Sequence, residues 1–185
     1  VGSNSSGQAG LDELRRKLVK LLQEKDIVRS EPVTLASGQR SDFYIDVKKA
    51  YGYPELLRLA SEGVWMLMSD RTTCVAAIGF GGAPLATAIS LSHNLRLTMI
   101  RDEPKKHGKR NLLDGHVPDR NDKVSIVDDV LTTGLNLKKA VEALLPTGAE
   151  ILGCSVVVRR SDGSASGIGQ VTHLITADEI MASKK

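Results

Sequence analysis

The sequence predicts a single parallel α/β domain with a small antiparallel addition near its N-terminus. Three observations carry this. Apolar runs at 74–78, 95–100, 124–127 and 151–158, with a fifth at 171–175, lack the polar alternation of a strand with one wet face. Strands covered on both faces read this way. Helix-period segments lie between them, as they must where helices join and cover parallel strands. In 33–49, by contrast, Val33, Leu35, Phe43, Ile45 and Val47 alternate with polar residues around Ser37-Gly38, the pattern of short antiparallel strands.

The elements follow in order. Residues 1–10 are rich in Ser and Gly and are set apart as a disordered leader, leaving 11–185 as the folded domain. Over 11–23, Leu11, Leu14, Leu18, Leu21 and Leu22 share one helical face, and Asp12 and Glu13 suit the positive end of the dipole. Pro54 opens a helix to about Met68, with Leu56, Ala60, Val64 and Leu67 inward and Trp65 widening that face. The run at 74–78 leads through Gly79-Phe-Gly-Gly82 into a helix at 84–91. The run at 124–127 is ended by two aspartates, and a helix at 133–145 turns Leu137, Val141 and Leu144 inward. A short terminal helix follows the fifth run. The stretch 102–122 has no pattern of its own. A loop of about 20 residues inside a compact domain is either disordered or functional.

With 185 residues, 41 % of them apolar, the chain can bury one sizeable core, and with 3 % aromatics that core is aliphatic. A net charge of +3 is too small to point to nucleic acid and suits an anionic small molecule. Cys74 and Cys154 lie in apolar runs and read as small core hydrophobes. The apolar stretches fall short of the ~20 residues that cross a membrane. No apolar secretory segment opens the chain, so a cytoplasmic setting is expected by elimination.

The strongest chemical signal is VSIVDDVLTTG at 124–134. An apolar strand delivers Asp128 and Asp129 to its carboxyl end, where open α/β sheets bind ligands. The N–H groups of Thr132, Thr133 and Gly134 then converge at a helix start, a natural seat for phosphate. The two acids need a different guest: sugar hydroxyls, or a hydrated Mg²⁺. Phosphate and diol together describe a ribose 5-phosphate. An acidic turn that merely caps a helix, and a phosphoacceptor aspartate, are the competing readings. Weaker signals are Gly81 and Gly82, which could bare N–H groups to a second anion or simply allow close packing, and the basic RDEPKKHG at 101–108. Arg159 and Arg160 end the fourth run, where a guanidinium could hold a planar anion. His93, His116 and His173 have no evident partners and are given no role.

Taken together, these pieces resemble the type I phosphoribosyltransferases, most closely the orotate branch. The resemblance spans roughly residues 11 to 182. Its specific part is VSIVDDVLTTG, supported by LASGQRSDFYIDVKKA at 35–50, GGAPLATAISL at 81–91, RDEPKKHG at 101–108 and VVVRRSDG at 156–163. It implies a parallel five-stranded sheet flanked by helices, with a small hood drawn mainly from 11–50 and a mobile loop over 102–122 as catalytic lid. It implies a pyrimidine-synthesis transferase that uses phosphoribosyl pyrophosphate, orotate and Mg²⁺, working as a homodimer with shared sites. Asp128, Asp129, Val130, Leu131, Thr132, Thr133, Gly134, Leu135 and Asn136 would surround the ribose 5-phosphate. Thr132 and Arg160 would face orotate. Arg101, Lys105 and His107 would reach pyrophosphate in the neighbouring subunit's site, with Lys105, His107, Asp128 and Asp129 as the catalytic set. Asp128 and Asp129 would touch the metal through water or the ribose. Transfer to another base, and a non-catalytic regulator that binds phosphoribosyl pyrophosphate, are the readings left open.

Overall fold

The computed structural model describes residues 4–25, 27–29, 33–34, 40–41, 44–103, 112–160 and 168–182. Helix α1 (Asn4–Glu24) comes first. It takes in residues 4–10, which the sequence assigned to a disordered leader. Once the amphipathic part is docked, each further residue extends an existing helix and needs no new nucleus. Gln8 Nε2 donates to Asp12 Oδ1 at 3.1 Å across the join.

Four two-residue strands follow: β1 (Val28–Arg29), β2 (Val33–Thr34), β3 (Arg40–Ser41) and β4 (Tyr44–Ile45). β1 pairs antiparallel with β4, and β2 with β3, so the alternating stretch does form antiparallel ribbons. It ends sooner than expected. Val47 belongs to a one-turn helix, α2 (Val47–Ala50), because Asp46 caps it by accepting the Lys49 N–H at 3.0 Å. Leu35 and Phe43 lie outside the described residues.

The main body is α3 (Pro54–Trp65), β5 (Cys74–Ile78), α4 (Gly79–His93), β6 (Arg96–Ile100), β7 (Leu113–Gly115), β8 (Lys123–Leu131), α5 (Leu135–Leu144), β9 (Glu150–Arg159), β10 (Val171–Thr176) and α6 (Ala177–Ala182). The sheet order is β10-β9-β8-β5-β6-β7. The five apolar runs are its five parallel strands. The sixth strand, β7, lies antiparallel on the β6 edge, with Ile100 opposite Leu113. It falls inside 102–122, where no pattern was legible, since three residues are too few to show a period.

Both faces of the sheet are covered. On β5, Val75 and Ala77 join an apolar cluster with residues of α1, α3 and α4, while Cys74, Ala76 and Ile78 join a second cluster with Leu137, Ala140 and Leu144 of α5. From β5 the chain passes through α4 to β6 on one side. From β8 it passes through α5 to β9 on the other. The strand order therefore reverses between β5 and β8, and the carboxyl ends of these two strands are the usual ligand site of such sheets.

The opposite end of the sheet is tied by one carboxylate. Asp122, 1 % exposed, accepts from Arg96 Nη1 at 2.9 Å, Thr73 Oγ1 at 3.3 Å and the Asp119 N–H at 3.0 Å, and lies 2.8 Å from His116 Nε2. Burial alone would raise its pKa, but the hydrogen bonds and positive charge outweigh burial and hold the carboxyl below its ordinary value. A carboxyl lowered by folding adds stability that is full above its unfolded pKa and is lost as pH falls through the folded one. Asp122→Asn should therefore cost roughly 2 kcal/mol in urea unfolding at pH 7. The gap from wild type should shrink once pH drops below the ordinary carboxylate value.

Candidate active site

β8 does not stop at the aspartates. Its pairing with β9 continues through Asp128↔Val156 and Val130↔Val158 to Leu131↔Arg159. The sequence had ended this strand at Val127, but the ten-residue β9 offers backbone partners further along. The two acids are thus strand residues with fixed backbones. The Asp129 N–H donates to Asp128 Oδ1 at 2.9 Å, and the Val130 N–H donates to Asp129 Oδ1 at 2.8 Å.

They are not equivalent. Asp128 is 2 % exposed, while Asp129 is half-buried. Burial first, and then the charge of Asp129, push the Asp128 carboxyl up to about 8; the charge of Lys48 pulls the other way. At neutral pH Asp128 can therefore donate as well as accept a hydrogen bond.

Helix α4 explains how the pair is enclosed. It begins at Gly79, five residues earlier than the sequence suggested, so Gly81 and Gly82 sit in its first turn. A Cβ on Gly81 would lie 2.5 Å from Asp129 Oδ1, and one on Gly82 would lie 2.6 Å from the Val127 carbonyl. The glycines let α4 approach the end of β8. Close packing, one of the two readings of Gly81-Gly82, is what the structure displays.

Beyond Leu131 the chain turns. Thr132 and Thr133 are exposed, and Gly134 is buried in the left-handed region at φ 75°, ψ 4°. A side chain at Gly134 would be strained and would meet Ile168 Cδ1 at 3.0 Å. α5 starts at Leu135, two residues later than expected, with Gly134 at its N-cap and no side-chain cap. Its first-turn N–H groups open toward the exposed turn, where Leu135 and Asn136 are exposed as well. Val130 and Leu131, assigned to the ligand by resemblance, put their side chains against the two apolar clusters, leaving only backbone for a ligand.

Arg160 follows β9, and its N–H donates to the Leu131 carbonyl at 3.0 Å. This places Arg160 next to the start of the Thr132 turn. Arg101 ends β6 at the same edge of the sheet. Its N–H donates to the Leu112 carbonyl at 2.8 Å, and its Nε pairs with Asp114 of β7. Lys105 and His107 lie outside the described residues. The structure thus gathers Asp128, Asp129, the 132–136 turn and Arg160 at one edge, with Arg101 two strands away from β8.

Two contributors were not singled out from the sequence. The charge of Lys48 acts on Asp128, and Tyr51 ends α2, which packs against α4 and β8, so that the charges of both acids raise its phenol further. Tyr51 directly follows the quoted DVKKA, but a one-turn helix has no period to reveal which way it faces. The histidines left without a role are structural where their partners are seen. His93 stacks on Trp65 with centroids 3.9 Å apart, and His116 serves Asp122. Burial raises both thiols, Cys154 to about 12, in line with core cysteines.

Among the described residues no group of three or more His, Cys, Asp or Glu could hold a metal, and no helix is long and apolar enough to cross a membrane. Two neighbouring carboxyls suit a hard cation such as Mg²⁺, which keeps waters and takes its other oxygens from a phosphate substrate.

Comparison with known proteins agrees with this geometry. The model of the phosphoribosyl transferase domain matches residues 64–175. The orotate phosphoribosyltransferase of Methanocaldococcus jannaschii is 34 % identical over 92 % of this chain and 98 % of its own. That of Sorangium cellulosum is 40 % identical over 86 % of each. Among solved structures, the orotate phosphoribosyltransferase of Aeropyrum pernix superposes with a TM-score of 0.79 at 27 % identity, covering 90 % of this chain and 97 % of that one. The Mycobacterium tuberculosis enzyme, in complex with 5-phospho-α-D-ribosyl 1-diphosphate, gives 0.72 at 26 %, covering 91 % and 99 %.

The raised Asp128 carboxyl has a stability consequence. A carboxyl whose pKa rises on folding binds protons more tightly in the native state, so stability falls as pH rises from the unfolded toward the folded value. Asp128→Asn keeps an oxygen for the Asp129 N–H and removes the titration. It should be more stable than wild type at pH 8.5 by about 1 kcal/mol or more. Thermal unfolding of the ligand-free protein should show that advantage vanishing near pH 4.

Proposed function

The chain belongs to the phosphoribosyltransferase family, in its orotate branch, and on that premise we propose how its residues divide the work. The enzyme transfers the 5-phosphoribosyl group of phosphoribosyl pyrophosphate to orotate, giving orotidine 5′-monophosphate and pyrophosphate in pyrimidine synthesis. One observation carries the reading of the site: an acid pair in β8, one carboxyl buried and one half-buried, leads within a few residues through an exposed threonine turn into the start of α5, whose N-cap is a glycine. Such a site offers carboxyls to hydroxyls and N–H groups to phosphate within one ligand's reach.

The turn Thr132–Thr133–Gly134, with Leu135 and Asn136, takes the 5-phosphate through backbone N–H groups and threonine hydroxyls. Asp129, the more accessible acid, accepts from the ribose hydroxyls. Asp128 behind it carries a proton at neutral pH and can donate to the sugar or to its neighbour. Thr132 and Arg160 hold orotate, the guanidinium matching a carboxylate. In the reaction the bond from the anomeric carbon to pyrophosphate breaks, and a bond to a ring nitrogen of orotate forms. The acid pair lies near the carbon that becomes electron-poor. Bound Mg²⁺, touching Asp128 and Asp129 through water or the ribose, would supply charge neutralisation on the pyrophosphate.

We place Arg101, Lys105 and His107 on the departing pyrophosphate, and the hood over 11–50 and the segment 102–122 as covers that exclude water. The β6–β7 pairing supports the second, because it ties the base of that segment to the sheet. A homodimer is supported by Phe80 and Leu91, three helical turns apart on α4 and 89 % and 84 % exposed. There, Arg101, Lys105 and His107 serve the partner's site. Free, buried cysteines accord with a cytoplasmic setting.

A pyrophosphate-release assay with orotate, uracil, hypoxanthine and adenine in parallel should show turnover with orotate. Release with a different base would reassign the acceptor, and tight phosphoribosyl pyrophosphate binding without any turnover would make the chain a regulator. Arg160→Ala should raise the orotate KM roughly 10- to 100-fold while leaving phosphoribosyl pyrophosphate affinity near wild type by calorimetry. Lys105→Ala should lower kcat far more than it weakens orotate binding; an unchanged kcat would remove Lys105 from the mechanism.

A further inference from the structure

Tyr51 closes α2, and its hydroxyl is buried. Among the described residues its Oη is a buried side-chain polar atom without a hydrogen-bond partner. Such atoms are scarce in native proteins, because a buried donor that gave up water for nothing destabilises the fold. The position is not slack. Asp46 caps α2, and the Tyr51 N–H returns to the carbonyls of Val47 and Lys48, which fixes the residue at the helix end. Its ring packs against the apolar cluster beneath α3 and α4.

The helix that Tyr51 ends packs against α4 and β8, the two elements that hold the acid pair. Burial holds the phenol well above its ordinary pKa, and the charges of Asp129 and then Asp128 act in the same direction. Neither carboxyl hydrogen-bonds to it. Asp129 Oδ1 accepts from the Val130 N–H, and its carboxylate lies over Gly81 at the start of α4. A donor and an acceptor thus lie on packed elements with no hydrogen bond between them.

We propose that Tyr51 is a positioning residue, whose O–H donates to the Asp129 carboxylate once the site is occupied and so holds that carboxylate in the orientation that grips the ribose. This rests on the reading above, that Asp129 takes the sugar hydroxyls. Because the hydrogen bond is absent from the empty site, it adds to ligand binding and not to folding. Leaving the donor unsatisfied in the empty protein is the cost of having it ready.

Tyr51→Phe removes the hydroxyl and keeps the ring. In the ligand-free full chain its thermal midpoint should equal or exceed that of wild type. Its Kd for phosphoribosyl pyrophosphate should rise roughly tenfold by calorimetry, kcat should fall, and the orotate KM should stay within about twofold. A merely structural tyrosine would do the reverse, lowering the midpoint and disturbing both substrates alike; that result, or wild-type binding and turnover, overturns the proposal. A second measurement leaves Tyr51 in place. The chain has three tyrosines, so replacing Tyr44 and Tyr53 by Phe leaves Tyr51 as the sole tyrosine reporter. Saturation with phosphoribosyl pyrophosphate should then shift its absorption to the red, as a phenol does on donating a hydrogen bond, and no shift at saturation overturns the proposal. If wild type itself binds no phosphoribosyl pyrophosphate, the assignment of the site fails, and not only the role of Tyr51.

Discussion

Two neighbouring carboxyls are held in the second half of a strand, β8, whose partner extends it past them. β9 pairs with β8 as far as Leu131, so the backbone of Asp128 and Asp129 is committed to the sheet before either side chain meets a ligand. From this constraint the rest of the site follows. α4 must start with glycines, since any side chain at Gly81 or Gly82 would collide with Asp129 or with the Val127 carbonyl. The chain must then leave the sheet sharply, and Gly134 supplies the left-handed turn that starts α5 a few residues after the acids.

The sheet carries buried aspartates at both ends, and their environments drive them in opposite directions. Asp122 is surrounded by donors from Arg96, Thr73, His116 and Asp119, and its carboxyl is lowered despite burial. Asp128 has one backbone donor and a second acid next to it, and its carboxyl is raised. Hydrogen bonds to the charged form decide the first case; burial and like charge decide the second. The first environment favours the ionised carboxylate, while the second favours the protonated acid.

Arg160 is likewise placed by neighbours in the sheet, not in the chain: its N–H reaches the Leu131 carbonyl across the β8–β9 pair, next to the start of the Thr132 turn. Arg101 is held by Asp114 on β7, a strand that caps the edge next to β6. Arg160 and Arg101 are thus set at the ends of different strands, β9 and β6, on either side of the β8–β5 pair.

Much of this was legible in the sequence. Unalternated apolar runs gave the five parallel strands, because strands buried on both faces need no polar side. The DDVLTTG run located the acids and the turn that leads into α5, since local backbone chemistry governs where a helix starts. The sequence could not reveal where β8 ends, because strand length is decided by the pairing that β9 offers. Nor could it show that Gly81 serves Asp129, that β7 adds an edge to the sheet, or that Tyr51 ends a helix packed against α4 and β8. Each of these joins residues far apart in the chain, and only packing brings them within reach. The residues and their local propensities settled the fold class and the chemistry on offer; tertiary contacts decided which acid is buried and which is half-exposed, because burial depends on what packs over each strand residue.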